Sequence, residues 1–286
     1  MKVVILGAAG QLGQAMTARA QARGYDVHAW TRTQGDITRP ATLAEHLRDT
    51  APAAVINCAA YARVDEAEDE PAEALTINAW AIRDLARMAR DLSFALVHYS
   101  TDFVFDGLTD VVHRESDPTN PRGVYATSKR LGEQFAAEAP SHYILRVESL
   151  FGGPKAKSSV DMLLNGLIAV REIRPFSDRT VTPSYVEDVA DATCSVLERR
   201  PESGIYHCVN TGVTTWDALA RYAADLLERP HTLIRPVEMA GLTMRVPRPL
   251  KAALSNEKLT AAGVPMPTWQ DAIRRYVDLL RASAAR

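Results

Sequence analysis

A tyrosine and a lysine stand four residues apart in Val124-Tyr125-Ala126-Thr127-Ser128-Lys129. On a helix this spacing sets the two side chains one turn apart on a single face. A phenol in that setting can donate a proton, and an ammonium beside it would lower a pKa that is otherwise about 10. Plain solvated helices carry the same spacing, so the pair takes its meaning from its surroundings. Ser100-Thr101-Asp102 closes an apolar run at Ala95–Ser100. A threonine there can hydrogen-bond a carbonyl oxygen, although strand-end threonines also serve as caps and turn formers.

The elements that must position these groups alternate along the first half of the chain. Lys2–Leu6, Tyr25–Trp30, Ala54–Cys58, Ala95–Ser100 and Ser141–Val147 read as strands. Helical patterns fill Gln11–Arg23, Ala41–Thr50, Pro71–Asp91 and Tyr125–Glu138 between or beside them. Strand–helix alternation predicts an α/β fold with a doubly wound parallel sheet of Rossmann type. After Val147 the pattern loosens. Helices are expected at Val160–Arg171, Val186–Arg199, Trp216–Leu227 and from Trp269 onward, with a late strand at Gly204–Val209. Prolines 230, 236, 247 and 249 make Arg229–Pro249 a shaped loop that could wall a site. A dinucleotide-binding domain is expected over 1–150 and about 181–211. A smaller mixed α/β substrate domain is expected from about 151–180 and 212–286.

Gly7-Ala8-Ala9-Gly10-Gln11-Leu12-Gly13 joins the first strand to the first helix. Glycines there let the backbone approach a pyrophosphate, which the free N–H groups of a helix N-terminus favour. The second strand ends in Trp30-Thr31-Arg32 without the acid that would bind both ribose hydroxyls. Arg32 therefore favours NADPH through its 2′-phosphate, with NADH still open. Asp36 either caps the next helix or meets the adenine edge, with Ile37 against the ring.

Composition narrows the partners. With 33 Lys and Arg against 35 Asp and Glu, the net charge of −2 gives no general attraction to nucleic acid or anionic membranes. No apolar run approaches the roughly 20 residues that cross a bilayer, and no signal peptide is read at the N-terminus. Cys58, Cys194 and Cys208 are too far apart for a disulfide framework or zinc site, which suits a reducing cytoplasm. The seven histidines lack metal-binding spacing, so no metal is expected. The acids Asp65, Glu66, Glu68, Asp69 and Glu70 read by default as a solvated helix entry.

Together the glycine turn, Asn57-Cys58-Ala59-Ala60-Tyr61, Thr101 and Tyr125/Lys129 resemble the extended short-chain dehydrogenases/reductases. AAYARVDEAEDEP, HYSTDFVFDG, VYATSKRLGE and NEKLTAAGVPMPTWQDAI resemble the dTDP-4-dehydrorhamnose reductase family within that group. The resemblance implies reduction of a nucleotide-sugar 4-keto group, with Tyr125 as acid, Lys129 as ribose ligand and pKa modulator, and Thr101 as carbonyl donor. It also implies that Gly7, Gly10, Gln11 and Leu12 meet the pyrophosphate, that Arg32 meets the adenosine end, and that Cys58, Ala59, Ala60 and Tyr61 follow the cofactor along the sheet edge. Val64, Asp102, Phe103 and Ser149, together with Thr101 and Tyr125, would line the sugar site. The assembly is open, a homodimer included.

Two departures bear on the sugar. Arg146-Val147-Glu148-Ser149 stands where the family has Arg-Thr-Ser-Trp, and Phe103 stands where it often has tyrosine. The Thr-Asp-Glu of nucleotide-sugar dehydratases is Thr101-Asp102-Phe103 here, which argues against elimination. An epimerase and a non-catalytic NADP-binding subunit are the competing readings.

Overall fold

A computed structural model describes residues 1–154 and 157–284. Strand β1 (Lys2–Leu6) leads into α1 (Gln11–Ala22), β2 (Asp26–Trp30), α2 (Pro40–Thr50) and β3 (Ala54–Asn57). One helical stretch then comprises α3 (Pro71–Leu75), a π turn (Thr76–Trp80) and α4 (Ala81–Leu92). It is followed by β4 (Ala95–Thr101), α5 (Val124–Ala136) and β5 (His142–Val147). The remaining elements are β6 (Leu150–Phe151), α6 (Ser159–Ile168), β7 (Thr180–Val181), β8 (Ser184–Tyr185), α7 (Val186–Arg199), β9 (Gly204–His207), β10 (Thr214–Thr215), α8 (Trp216–Leu226), α9 (Glu257–Ala261) and α10 (Trp269–Ala284).

Six strands form a parallel sheet in the order β2-β1-β3-β4-β5-β9. Side chains alternate across a strand, and here both faces are apolar because helices cover both. Val3 and Ile5 of β1 join one core with Leu12 and Met16 of α1 and Val189 of α7. Val4 and Leu6 join the other, with Leu43 of α2 and Ile82 and Leu85 of α4. The expected α/β fold with a doubly wound parallel sheet is the one found. The strand order reverses between β1 and β3, where the carboxyl ends of a parallel sheet open a crevice for ligands.

Four elements are too short for sequence patterning to reveal. β6 pairs with β8 in parallel, and β7 pairs antiparallel with β10, each through two residues. Two residues cannot display a period of two. The helix expected as one piece at Pro71–Asp91 contains the π turn at Thr76–Trp80. That turn brings the Asn78 carbonyl against α5 at Gly132, where a Cβ would run into the oxygen. The proline-studded segment holds short turns at His231–Leu233 and at 240–241. Asp178 accepts from the Met239 and Ala240 amides, and Arg245 and Arg248 pair with Asp69 and Asp65.

Candidate active site

The glycine turn is shaped by contacts that no larger residue permits. Gly7 has φ +73° and lies so near β3 that a Cβ would come within 2.7 Å of the Ala59 amide nitrogen. A Cβ on Gly13 would collide with the Gly7 carbonyl oxygen. Gly10 is the N-cap of α1 and supplies no side-chain acceptor, so that helix end keeps amides for an anion. A cleft opens above the turn, lined by Gly7, Gly10, Arg32, Asp36, Cys58 and Ala59, with Ile37 and Ala60 at its side. These residues fit a dinucleotide: a tight turn, a free helix N-terminus, and an arginine whose side chain is 77% exposed at the far end.

Other expected members of this set turn their side chains elsewhere, while the Gln11 and Leu12 amides remain in the uncapped first turn of α1. The Gln11 side-chain amide donates to the Gly152 carbonyl at 2.7 Å, and Leu12 is buried in the core. Tyr61 is buried as well, its hydroxyl donating to Glu70 and its amide to the Asn78 side chain. Asp36 does not cap α2, whose N-cap is Arg39. Its Oδ1 accepts from the Thr38 amide and hydroxyl at 2.9 and 2.6 Å. Burial pushes the Asp36 pKa up, but the Thr38 hydrogen bonds and Arg32 outweigh it and the net shift is downward.

Thr101 ends β4, and Tyr125 and Lys129 lie in the first two turns of α5. Thr101 and Tyr125 lie near each other at the end of β4, and Lys129 reaches the β4 backbone two residues before Thr101. The Thr101 hydroxyl donates to Asp102 Oδ1 at 2.9 Å and accepts from the Phe103 amide at 3.2 Å. Lys129 is only 3% exposed, and its ammonium donates to the Tyr99 carbonyl at 2.5 Å. Burial brings its pKa down to about 8, against the opposing pull of Glu133. The phenol departs from the expectation that lysine would lower it. Burial raises Tyr125 to about 12, with Thr101 pulling down and Asp102 pushing up. Desolvation dominates the phenol, and the Lys129 ammonium is held by the Tyr99 carbonyl.

Several supports of α5 were not apparent from the sequence. Glu68 accepts from the Val124 amide at 2.7 Å, so it caps the helix carrying Tyr125 and is not simply solvated. A carboxylate there also suits the helix dipole. Asn78 donates to Ser128 Oγ at 3.0 Å, and Ser128 donates to the Tyr125 carbonyl at 2.7 Å. Arg146 grips Glu133 through bonds of 2.7 and 2.9 Å, both partners being buried. Its guanidinium also lies over the Phe105 ring, 5.0 Å from the centroid. The arginine of the Arg146-Val147-Glu148-Ser149 string thus fixes α5 to β5.

The walls above the tyrosine are aromatic and cationic. Phe103 meets the Tyr125 ring edge-on at 5.7 Å, and the Arg248 guanidinium lies 5.9 Å from the Phe103 centroid. Val64 is half-buried on the segment that also carries Asp65, the partner of Arg248. Ser149 is half-buried and sits in the left-handed region at φ 47°. Among the described residues, no group of three or more His, Cys, Asp or Glu could hold a metal ion.

A glycine-turn cleft beside a Thr–Tyr–Lys set on a doubly wound sheet defines the extended short-chain dehydrogenase/reductase class. Residues 1–282 match the family model described as RmlD substrate binding domain, and the chain belongs to that family. It is 35% identical to a dTDP-4-dehydrorhamnose reductase of Streptomyces griseus, over 99% of this chain and 95% of that one. It is 34% identical to a probable dTDP-4,6-dihydroxy-2-methyloxan-3-one 4-ketoreductase of Streptomyces antibioticus, over 99% of this chain and 97% of that one. Among solved structures, a dTDP-4-dehydrorhamnose reductase of Bacillus anthracis in complex with NADP superposes with a TM-score of 0.89 at 28% identity. That match covers 96% of this chain and 98% of the other.

Proposed function

We propose that the protein is an oxidoreductase that uses NADPH to reduce the 4-keto group of a nucleotide-activated 6-deoxy-4-ketohexose, dTDP-4-dehydrorhamnose or a close relative. The observation that carries this reading is Thr101 at the end of β4 with Tyr125 and Lys129 one turn apart on α5, on the same sheet as the glycine-turn cleft. A nicotinamide, when bound, supplies the hydride. The chain's own residues do the rest. Thr101 and Tyr125 hydrogen-bond the carbonyl oxygen, and the Tyr125 O–H proton passes to it as the C–O bond becomes single. A phenol raised by burial keeps its proton until an acceptor develops charge. Lys129 holds the ribose and favours the phenolate left behind.

Arg32, which follows a second strand that does not end in an acid, supports NADPH over NADH, and its guanidinium lies 3.6 Å from Asp36 Oδ2. The segments after β1, β2 and β3 line the glycine-turn cleft, and Arg248 of the 229–249 segment lies 5.9 Å from the Phe103 ring centroid. We assign the cleft to a cofactor domain, 1–150 with about 181–211, and the 229–249 segment to a substrate domain, about 151–180 with 212–286. The cytoplasm is the compartment proposed for this chemistry. Among the described residues no helix is long and apolar enough to cross a membrane.

Ser149 and Glu148, where the family has tryptophan and serine, leave room for a sugar other than the rhamnose precursor. An NADPH-oxidation assay over a panel of 4-keto-6-deoxy nucleotide sugars, with product configuration assigned by NMR, tests both the reaction and the sugar. Turnover of at least one member is expected. NADPH binding without turnover of any member would instead favour a non-catalytic subunit.

A further inference from the structure

The 229–249 segment is tied at both flanks and loose between them. Val237 bridges Phe176, and the Asp178 carboxylate accepts from the Met239 and Ala240 amides. Beyond the last proline, the Lys251 amide donates to the Gly107 carbonyl at 3.1 Å. Between these anchors residues 241–243 are exposed, and a Cβ placed on Gly241 would have nothing within 4 Å. Among the described residues, no hydrogen bond runs from the backbone of 243–248 to another segment.

Three side chains hold this strap down. Arg245 pairs with Asp69 through both terminal nitrogens, and Arg248 Nη2 donates to Asp65 at 2.6 Å. Val246, 2% exposed, lies between them against Gly123, where a Cβ would come within 2.7 Å of its Cγ1 and 2.8 Å of Glu68 Oε1. Gly123 directly precedes the helix of Tyr125, and Arg248 also faces the Phe103 ring. The short loop 65–69 therefore holds α5 through Glu68 and the strap through Asp65 and Asp69.

These ties differ in kind from those that fix α5 to the sheet. Glu133 and Arg146 are sealed in the protein, and parting them would leave buried charge. Arg245 and Asp69 are 50% and 62% exposed, so water takes up both charges when they part. Exposed ion pairs contribute so little that a strap held by two pairs and one valine opens readily.

We propose that 241–248 is a gate over the sugar site, latched by Arg245 to Asp69 and by Arg248 to Asp65, which swings out to admit the keto sugar and release the alcohol. The inference rests on the reductase reading. Closed, the strap seats Val246 on Gly123 and Arg248 beside Phe103. Open, it gives up both contacts while the anchors at Asp178 and Gly107 stay in place. Among the described residues that line the glycine-turn cleft, none belongs to the strap, so cofactor exchange does not depend on the gate.

Trypsin can take the Arg245 side chain only after it leaves Asp69, so cleavage of the 245–246 bond, followed by mass spectrometry, reports the open strap. Asp69→Asn should speed this cut about three- to fivefold. NADPH alone should leave the cut within about twofold, whereas NADPH with dTDP-rhamnose should slow it at least about fivefold. In steady-state NADPH oxidation with dTDP-4-dehydrorhamnose, Asp69→Asn should raise KM about threefold without changing the Kd for NADPH, and Asp69→Arg combined with Arg245→Asp should restore KM. A cut no faster in Asp69→Asn, protection by NADPH alone as strong as with the sugar, or a charge swap that restores nothing overturns the gate and leaves the reductase reading intact. A parent that oxidises no NADPH with this sugar overturns that reading, and the gate's role with it.

Discussion

Lys129 is costly to the fold in which it sits. Its pKa, about 8 against 10.5 for the free side chain, means that the folded state binds fewer protons than the unfolded chain between those values. Stability therefore rises with pH across that window on this group's account, and below pH 8 the full cost is present. Lys129→Met should be more stable than the parent at pH 7 by about 2 kcal/mol, with the gain shrinking toward pH 10.5. Thermal melts at pH 7 and 10 check this, and activity should fall in the same variant. Tyr125, Lys129 and Thr101 were legible in the sequence because their types and spacings carry chemistry. The direction of the Tyr125 shift was not legible, since it depends on how much protein surrounds the phenol. Arg179 was missed as the partner of Asp102 because it lies far from it along the chain and no periodic element frames it.

At the scale of elements, α5 is the part on which the site depends. Glu68 caps it, Asn78 and Ser128 fix its first turn, and Arg146 ties Glu133 to the sheet. The π turn permits the Asn78 contact, and Gly132 permits the approach of the two helices. Gly132→Ala would force the Asn78 carbonyl away and cost about 1–3 kcal/mol. At about 2–4 °C per kcal/mol, the melting temperature should fall by several degrees, and a change within about 1 °C would contradict this packing. The alternation of strands and helices was evident from apolar periodicity. The π turn was not, because Thr76–Trp80 is as helical in pattern as its neighbours and only the approach of α5 distinguishes it.

Across the whole molecule, distant segments meet at the cleft. Gln11 bonds Gly152, and α7 is tied to α1 by Arg23 with Asp191 and Glu198. The 229–249 segment returns over Phe103 and is fastened by Arg248 to Asp65. Its prolines announced a shaped loop, but the bonds that fasten it to Asp178, Asp69 and Asp65 are long-range and left no local trace. Arg248→Ala should loosen this wall, raising KM for the keto sugar several-fold while the Kd for NADPH changes by less than about twofold. Steady-state kinetics and a fluorescence titration would show the split, and an unchanged KM would remove Arg248 from the wall.

The central claim is that the Tyr125 hydroxyl delivers the proton. Tyr125→Phe deletes that hydroxyl alone, so it should bind NADPH with near-parental affinity and lose at least about a hundredfold in kcat for 4-keto sugar reduction. Measured together on the two proteins, intact binding with that loss is the expected result. Turnover at the parental rate in the Tyr125→Phe variant would contradict the account.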